Sequence, residues 1–334
     1  MASTMTGQVP FHMAAIAHPG RGHINAMMNF CRLLSNRGGF HISFIVTEEW
    51  RSILSSDPPP PPCVQLCTIP NCIPSERVRA ADRNGFMDAV LTNMEEPFER
   101  LIIEQLETPV QAIVGDTYLP WVVEVGNREG IPVCSLFPMA ACFFRALDNY
   151  HMLPVHVPTT DSIAEFNDEP LEQYIPGLHP LRSSDLNTLH TLKQWKKILQ
   201  YFPWVKKPQC VLFTSFYELE SDTIDLIKQQ LPCHVYPIGP CIPYLQLNAV
   251  SNPDQDYYLT WLDEQPKKSV LYISLGSFLS VSQTQLEELA YGLVTSQVGT
   301  KAAASPCLAS DPSLNPQTPT TQRLTQAKPN RVYS

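Results

Sequence analysis

Apolar and polar positions alternate between two periods along the first 150 residues of the chain. His12–His18 (HMAAIAH) is a short apolar run bounded by histidines, which reads as a buried strand. Ile24, Met27, Met28, Cys31 and Leu34 then recur at helical spacing, and the Gly38-Gly39 pair stops the helix. His41–Thr47 and Val64–Ile69 read as the next two strands, on either side of a proline-rich loop at 57–62. A helical stripe covers Asn84–Leu106. Gln111–Asp116 and Pro132–Phe137 read as strands, each followed by a helix, Leu119–Arg128 and Ala140–Tyr150. Apolar strands alternating with helices predict an α/β fold, a parallel sheet covered on both faces.

Regular signals fade from Pro154 to Pro208. Tyr174–Leu186 is rich in turn formers, and a short helix is expected around Lys193–Tyr201. The alternation then resumes with a strand at Cys210–Thr214, a helix at Glu218–Leu231 and a strand at Val235–Ile238. These elements define a first domain, 1–238. Residues 239–260 hold several Pro and Asn and read as a linker. One further strand–helix unit follows within 261–296, from Ser269–Leu275 and Ser282–Thr295, with Leu286, Leu289 and Leu293 on one helix face. This lone unit has no evident sheet neighbour. Residues 297–334 lose all period, and the last 34 hold five prolines. Such a tail buries too little surface to offset its ordering entropy, and disorder is expected there.

Composition narrows the classes. Lys and Arg total 23 against 32 Asp and Glu, a net charge of −9. An acidic chain repels phosphate backbones, which argues against a nucleic-acid partner. No apolar run reaches the roughly 18 residues of a membrane helix, and Met1–Pro10 lacks a secretory pattern. Ten cysteines are scattered through apolar segments. That suits reduced thiols in a cytosolic protein. Cys63, Cys67 and Cys72 lack zinc-site spacing and a nearby His, so no metal is expected.

Ligands of an open α/β sheet sit at the carboxyl ends of its strands. His23 follows the first strand through Pro19-Gly20-Arg21-Gly22 and begins the first helix; Asp116 ends the fourth strand. Both fall on one rim. The positive end of a helix favours the neutral imidazole, and a carboxylate on one ring nitrogen fixes its tautomer. Such a His can take a proton from an attacking hydroxyl. The competing reading is a first-turn polar residue and a helix-capping Asp. There is neither a G-x-G-x-x-G fingerprint nor a G-K-[ST] phosphate loop, which argues against a dinucleotide-dependent dehydrogenase.

Six segments together resemble one family. Ala17–Met27 (AHPGRGHINAM) is similar to the N-terminal motif of plant UDP-glycosyltransferases, and Ile113–Trp121 (IVGDTYLPW) to the segment holding their partner Asp. Val211–Glu220 (VLFTSFYELE), Tyr236–Pro240 (YPIGP), Trp261–Gln265 (WLDEQ) and Val270–Ser277 (VLYISLGS) resemble later segments in the same order. Thr47–Trp50 (TEEW) is similar to the group numbered 87. The resemblance implies a GT-B-like fold with an N-terminal Rossmann-like acceptor domain and only the start of a second, donor-binding one. It implies inverting transfer of a hexose, with glucose expected, from a UDP-sugar to a hydroxyl of a small plant metabolite such as a flavonoid or phenolic. His23 would be the base and Asp116 its partner, without cofactor or metal, in a cytoplasmic monomer. Ser277 and Gly276 would contact the donor diphosphate. Gly22, Trp121, Phe137 and Met139 are candidates for the acceptor pocket, with core packing the competing reading for Trp121 and Phe137. Met139, Phe143 and Phe144 share a helical spacing that suits either role.

The sequence departs from the family at one point. The donor-holding segment with its H-C-G-W-N-S run does not occur. The expectation is a C-terminally truncated or mis-spliced product, weakly active or inactive. The alternative is a non-catalytic remnant that binds acceptor or associates with a full-length relative.

Overall fold

The computed structural model describes residues 10–76, 79, 82–152, 169–182, 185, 199–200, 202–242, 260–271, 283–296 and 299–300. The chain divides into two compact units, Met1–Ile242 and Pro243–Ser334.

The first unit is built on strands β1 (Phe11–Ile16), β2 (Phe40–Thr47), β3 (Val64–Ile69), β4 (Ala112–Asp116), β5 (Val133–Phe137), β6 (Cys210–Phe213) and β7 (His234–Pro237). They form a seven-stranded sheet in the order β3-β2-β1-β4-β5-β6-β7. Every neighbouring pair is parallel. Between them run helices α1 (Arg21–Ser35), α2 (Glu48–Leu54), α3 (Arg83–Asn93), α4 (Glu95–Arg100), α5 (Trp121–Glu129), α6 (Ala141–Asp148) and α7 (Tyr217–Gln230).

The strands are apolar on both sides because both faces are covered. Along β1, Ala14 and Ile16 pack into one core with Phe86, Phe98 and Val122. Met13 and Ala15 pack into the opposite core with Ile24, Met27 and Phe44 from α1 and β2. A third core gathers around Phe144, whose ring lies 5.3 Å from Phe137 and 5.0 Å from Phe213, each edge-on. The cysteine cluster is divided between cores, with Cys63 on one face and Cys67 and Cys72 on the other.

Several boundaries differ from the sequence reading. The stripe Asn84–Leu106 is not one helix but α3, α4 and a π-helical turn at Leu101–Gln105. Pro97 stands in the first turn of α4, where a missing N–H costs little, and a helix running through it would lose a bond. Helix α1 starts at Arg21, so His23 is its third residue rather than its first. Helix α5 ends on Gly130 in the left-handed conformation (φ 68°), a natural helix stop. The helix expected around Lys193–Tyr201 lies largely outside the described residues, as does most of 239–260.

In the second unit, strand β8 (Val270–Leu271) and helix α8 (Gln283–Ser296) occupy the expected strand–helix segment. The expectation of no sheet neighbour is corrected: β8 pairs in parallel with β9 (Gly299–Thr300). Those two residues were assigned to the disordered tail; the rest of that tail lies outside the described residues. Among the described residues of this unit, Leu262, Leu271, Leu289 and Tyr291 are exposed.

Candidate active site

Strand order runs 3-2-1 in one direction from β1 and 4-5-6-7 in the other, so the direction in which strands are added reverses between the parallel β1 and β4. That junction opens a crevice at the carboxyl ends of the two strands. Ile16 lies opposite Gly115 in the register, which sets Asp116 beside the first residue leaving β1. The turn after β1 leads into α1, and His23 sits in its first turn.

The two side chains meet across the junction. His23 Nδ1 lies 2.8 Å from Asp116 Oδ2, although 93 positions separate the residues in sequence. The other carboxylate oxygen, Oδ1, accepts the backbone N–H of Tyr118 at 2.9 Å. Asp116 is 1% exposed at the side chain and His23 24%. Burial pushes the Asp116 carboxyl up, but the His23 charge and hydrogen bond, His18 and the Tyr118 amide outweigh it, and it sits below its usual value. An ionised Asp116 places the proton of a neutral His23 ring on Nδ1. Nε2 then keeps its lone pair, and it has no hydrogen-bond partner among the described residues. The pair can therefore take up a proton on the solvent-accessible side.

Aromatic groups surround it. The ring of Tyr118 stands edge-on to His23 with centroids 5.4 Å apart, and His18 lies at 4.9 Å. The Tyr118 phenol is pushed above its usual range by burial and by the Asp116 charge. His18 is driven down to about 3, chiefly by burial and then by His23. It is thus a neutral ring at ordinary pH, with Nε2 3.3 Å from Met87 Sδ and Nδ1 buried without a partner among the described residues. Gly115 brings α5 close: a Cβ there would lie 2.7 Å from Val122 Cγ1.

Sequence reasoning placed His23 and Asp116 on one rim, and the structure brings them together. Gly22 is exposed beside His23, and a Cβ on it would meet nothing within 4 Å. Trp121 and Phe137 pack in cores, the competing reading for both. Trp121 is 3% exposed with its indole N–H donated to Val90 O at 3.1 Å, and Phe137 is 0% exposed among Phe144 and Phe213. Both spend their surface in cores. Met139 is half-buried against the Phe144 core, and Phe143 and Phe144 are buried. Ser277 and Gly276 lie outside the described residues.

Three features were missed. His18 stood inside the quoted AHPGRGH motif, but an isolated apolar-flanked His carries no periodic signal. Tyr118 follows Asp116 by two positions, and only its turn brings its amide back to the carboxylate. Glu220 caps α6 from a distance: its carboxylate accepts the N–H of Ala141 at 3.0 Å and of Cys142 at 2.9 Å, and the Ser215 hydroxyl. Its own backbone leaves helical geometry to do so. This ties the β6–α7 turn to the start of α6.

Comparison with known proteins follows the same lines. UDP-glycosyltransferase 87A2 of Arabidopsis thaliana is 42% identical over 291 residues, covering 86% of this chain and 63% of that protein. UDP-glycosyltransferase 87A1 of the same plant is 43% identical over 278 residues, covering 82% and 63%. The 7-deoxyloganetin glucosyltransferase of Gardenia jasminoides is 30% identical over 317 residues, covering 86% and 65%. The chain thus spans slightly under two thirds of the length of the curated relatives it matches. No protein-family profile matches it. Among solved structures, a UDP-glucose:anthocyanidin 3-O-glucosyltransferase in complex with UDP superposes with a TM-score of 0.71 at 20% identity, over 94% of this chain and 70% of that one. Medicago truncatula UGT71G1 complexed with UDP-glucose gives 0.64 at 22%, over 89% and 66%. The structural likenesses establish the GT-B-type fold of the N-terminal portion. In sequence the chain, across the part it spans, is similar to plant UDP-glycosyltransferases.

Proposed function

We propose that this chain carries the acceptor-activating part of an inverting UDP-sugar glycosyltransferase. The observation that carries the reading is the His23–Asp116 pair at the β1/β4 junction, with Nε2 of a partly exposed His23 unbonded among the described residues. The hydroxyl of a small phenolic acceptor gives its proton to His23 Nε2 as its oxygen bonds to the anomeric carbon of the hexose. The bond from that carbon to the diphosphate oxygen breaks on the opposite face, UDP leaves with the electron pair, and the configuration inverts. Asp116 holds the ring and stabilises the imidazolium as it forms. The aromatic surroundings of Tyr118 and His18 suit a flat acceptor. Glucose is the proposed sugar, the cytosol the proposed compartment, and neither metal nor cofactor takes part. Ser277 and Gly276 are proposed donor contacts on the family resemblance alone.

A second reading is an acceptor-binding protein without transfer. The observation favouring it is that Tyr118 and His18 flank His23, surroundings that suit a flat ligand whether or not a sugar is transferred. Two measurements on the 334-residue chain separate the readings: calorimetric titration with a flavonol and with UDP, and UDP release from UDP-glucose in the flavonol's presence. Release that disappears in His23→Ala is the expected result. Flavonol binding without UDP binding or release would select the second reading. Neither ligand binding would overturn both.

A further inference from the structure

Helix α1 presents His23 in its first turn, yet it begins without a local lock. Its N-cap is Gly20, and no side chain caps the first amides. Uncapped helix ends fray, so a base held there needs fixing from elsewhere. Two arginines reach the turn. Arg21 leaves it toward solvent, pairing with Asp57 at 2.6 Å over the Trp50 ring, with both partners about a third exposed. Arg79 approaches from the other side and is 5% exposed.

Arg79 Nη1 donates to the carbonyl of Pro19 at 3.1 Å, one residue before the N-cap. The same nitrogen would stand 3.1 Å from a Cβ on Gly20, so it fills the space a side chain would take. The guanidinium lies over Phe86 at 5.7 Å and pairs with Glu76 Oε1 at 2.7 Å. Glu76 is held in turn. Glu49, in the first turn of α2, accepts the Ser75 hydroxyl at 2.5 Å and the Glu76 amide at 2.9 Å. A continuous path of contacts thus runs from α2 through Glu49, Glu76 and Arg79 to the turn that launches His23. Burying an arginine and a carboxylate is expensive unless they are paired, and here one hydrogen bond of the guanidinium goes to the backbone of the His23 turn.

We infer that Arg79, supported by Glu76, is a positioning residue for His23, fixing the Pro19–Gly20 turn so that the imidazole keeps its register with Asp116. It touches neither the reacting atoms nor His23 directly. The importance of that register rests on the proposed role of His23 as base. The support is sensitive to pH. Burial pushes the Glu76 carboxyl up to about 7, Arg79 opposes the shift, Glu49 adds to it and Arg21 opposes it weakly. The Glu76–Arg79 ion pair is therefore complete only above neutrality and is lost as Glu76 takes up its proton below it.

The test reads the His23 ring and needs neither donor nor acceptor. The full chain, with 15N-labelled histidine, is followed by NMR at pH 6, 7 and 8, the His23 nitrogens being assigned by their absence in His23→Gln. In the unaltered protein one tautomer dominates, protonated at Nδ1. Arg79→Ala should average the two nitrogen signals toward each other, and Arg79→Lys, which keeps one donor, should restore at least half of the separation. Glu76→Gln should shift them less, with a difference from the unaltered protein at pH 8 that vanishes at pH 6. Coincident His23 signals in the unaltered protein, Arg79→Ala and Glu76→Gln at every pH would overturn the proposal. If Arg79→Ala does not fold, an unchanged spectrum in Glu76→Gln at pH 8 overturns it equally. Unchanged glycosyl transfer alongside this NMR pattern would count against His23 as base and leave the positioning role standing.

Discussion

Strand β1 has a histidine near each end, and the two ends use it in opposite ways. At the amino end His12 is 1% exposed, and both ring nitrogens are engaged, Nδ1 with Thr108 O and Nε2 with Ser43 Oγ, each at 2.9 Å. At the carboxyl end His18 is equally shut in, yet one nitrogen has only a methionine sulfur and the other no partner among the described residues. Five residues later His23 spends one nitrogen on Asp116, and the other has no hydrogen-bond partner among the described residues. Polar capacity that is fully used makes structure; capacity left unspent, beside a carboxylate and at a strand junction, is what chemistry requires.

That contrast can be broken by experiment. His23→Ala should lower UDP release from UDP-glucose by about 100-fold or more, the usual weight of a positioned base. His12→Ala should leave the remaining folded protein's rate per molecule unchanged. Equal losses of rate at the two ends would erase the distinction. The next largest effect belongs to the amino end. His12→Ala strands Ser43 Oγ and Thr108 O in the interior and should lower unfolding stability by about 2 kcal/mol in urea titrations.

How much of this the sequence disclosed depends on the kind of signal. Strand β1 and helix α1 were legible because Ala14, Ile16, Ile24 and Met27 repeat at two different periods. The meeting of His23 with Asp116 was readable from two strand ends and the rule for open sheets. Arg79 was not, because its segment has no period and its target is a backbone carbonyl 60 positions away. Trp121 and Phe137 were left between two readings for a related reason: an aromatic near a site looks the same in sequence whether it faces a ligand or a core. The break of the Asn84–Leu106 stripe was visible in Pro97, but the apolar spacing ran straight across it.

Gly115→Ala tests the carboxyl end without touching a polar group. The added methyl meets Val122 at the β4–α5 contact and should cost about 1–3 kcal/mol by overpacking. It should also move the His23 ring signals, because Asp116 is the next residue. An Ala tolerated without either effect would mean the junction is looser than its packing suggests.

The smallest effects are read in pH. His18 has its value lowered from 6.5 to about 3, so between those values the unfolded chain binds a proton that the folded one refuses. Stability from this group is present above about 6.5 and lost as pH falls toward 3, at up to about 1.4 kcal/mol per pH unit. In His18→Gln that slope should be shallower by as much as one proton across the window, as measured by urea unfolding at pH 4, 5 and 7. Asp116, lowered from 3.8, acts below that window: its contribution holds above its ordinary value and fades as pH drops through the folded one. Asp116→Asn should therefore be most destabilising near neutrality and converge with the unaltered protein in strong acid.

The junction between β1 and β4 also sets an order of events in folding. The chain between them contributes β2 and β3 to one side of the sheet, while β4 must return to the other side of β1. A contact this distant in sequence is among the slower kind to establish. The His23–Asp116 bond therefore cannot precede the docking of β4 on β1, and its appearance during refolding marks the moment the two wings of the sheet become one.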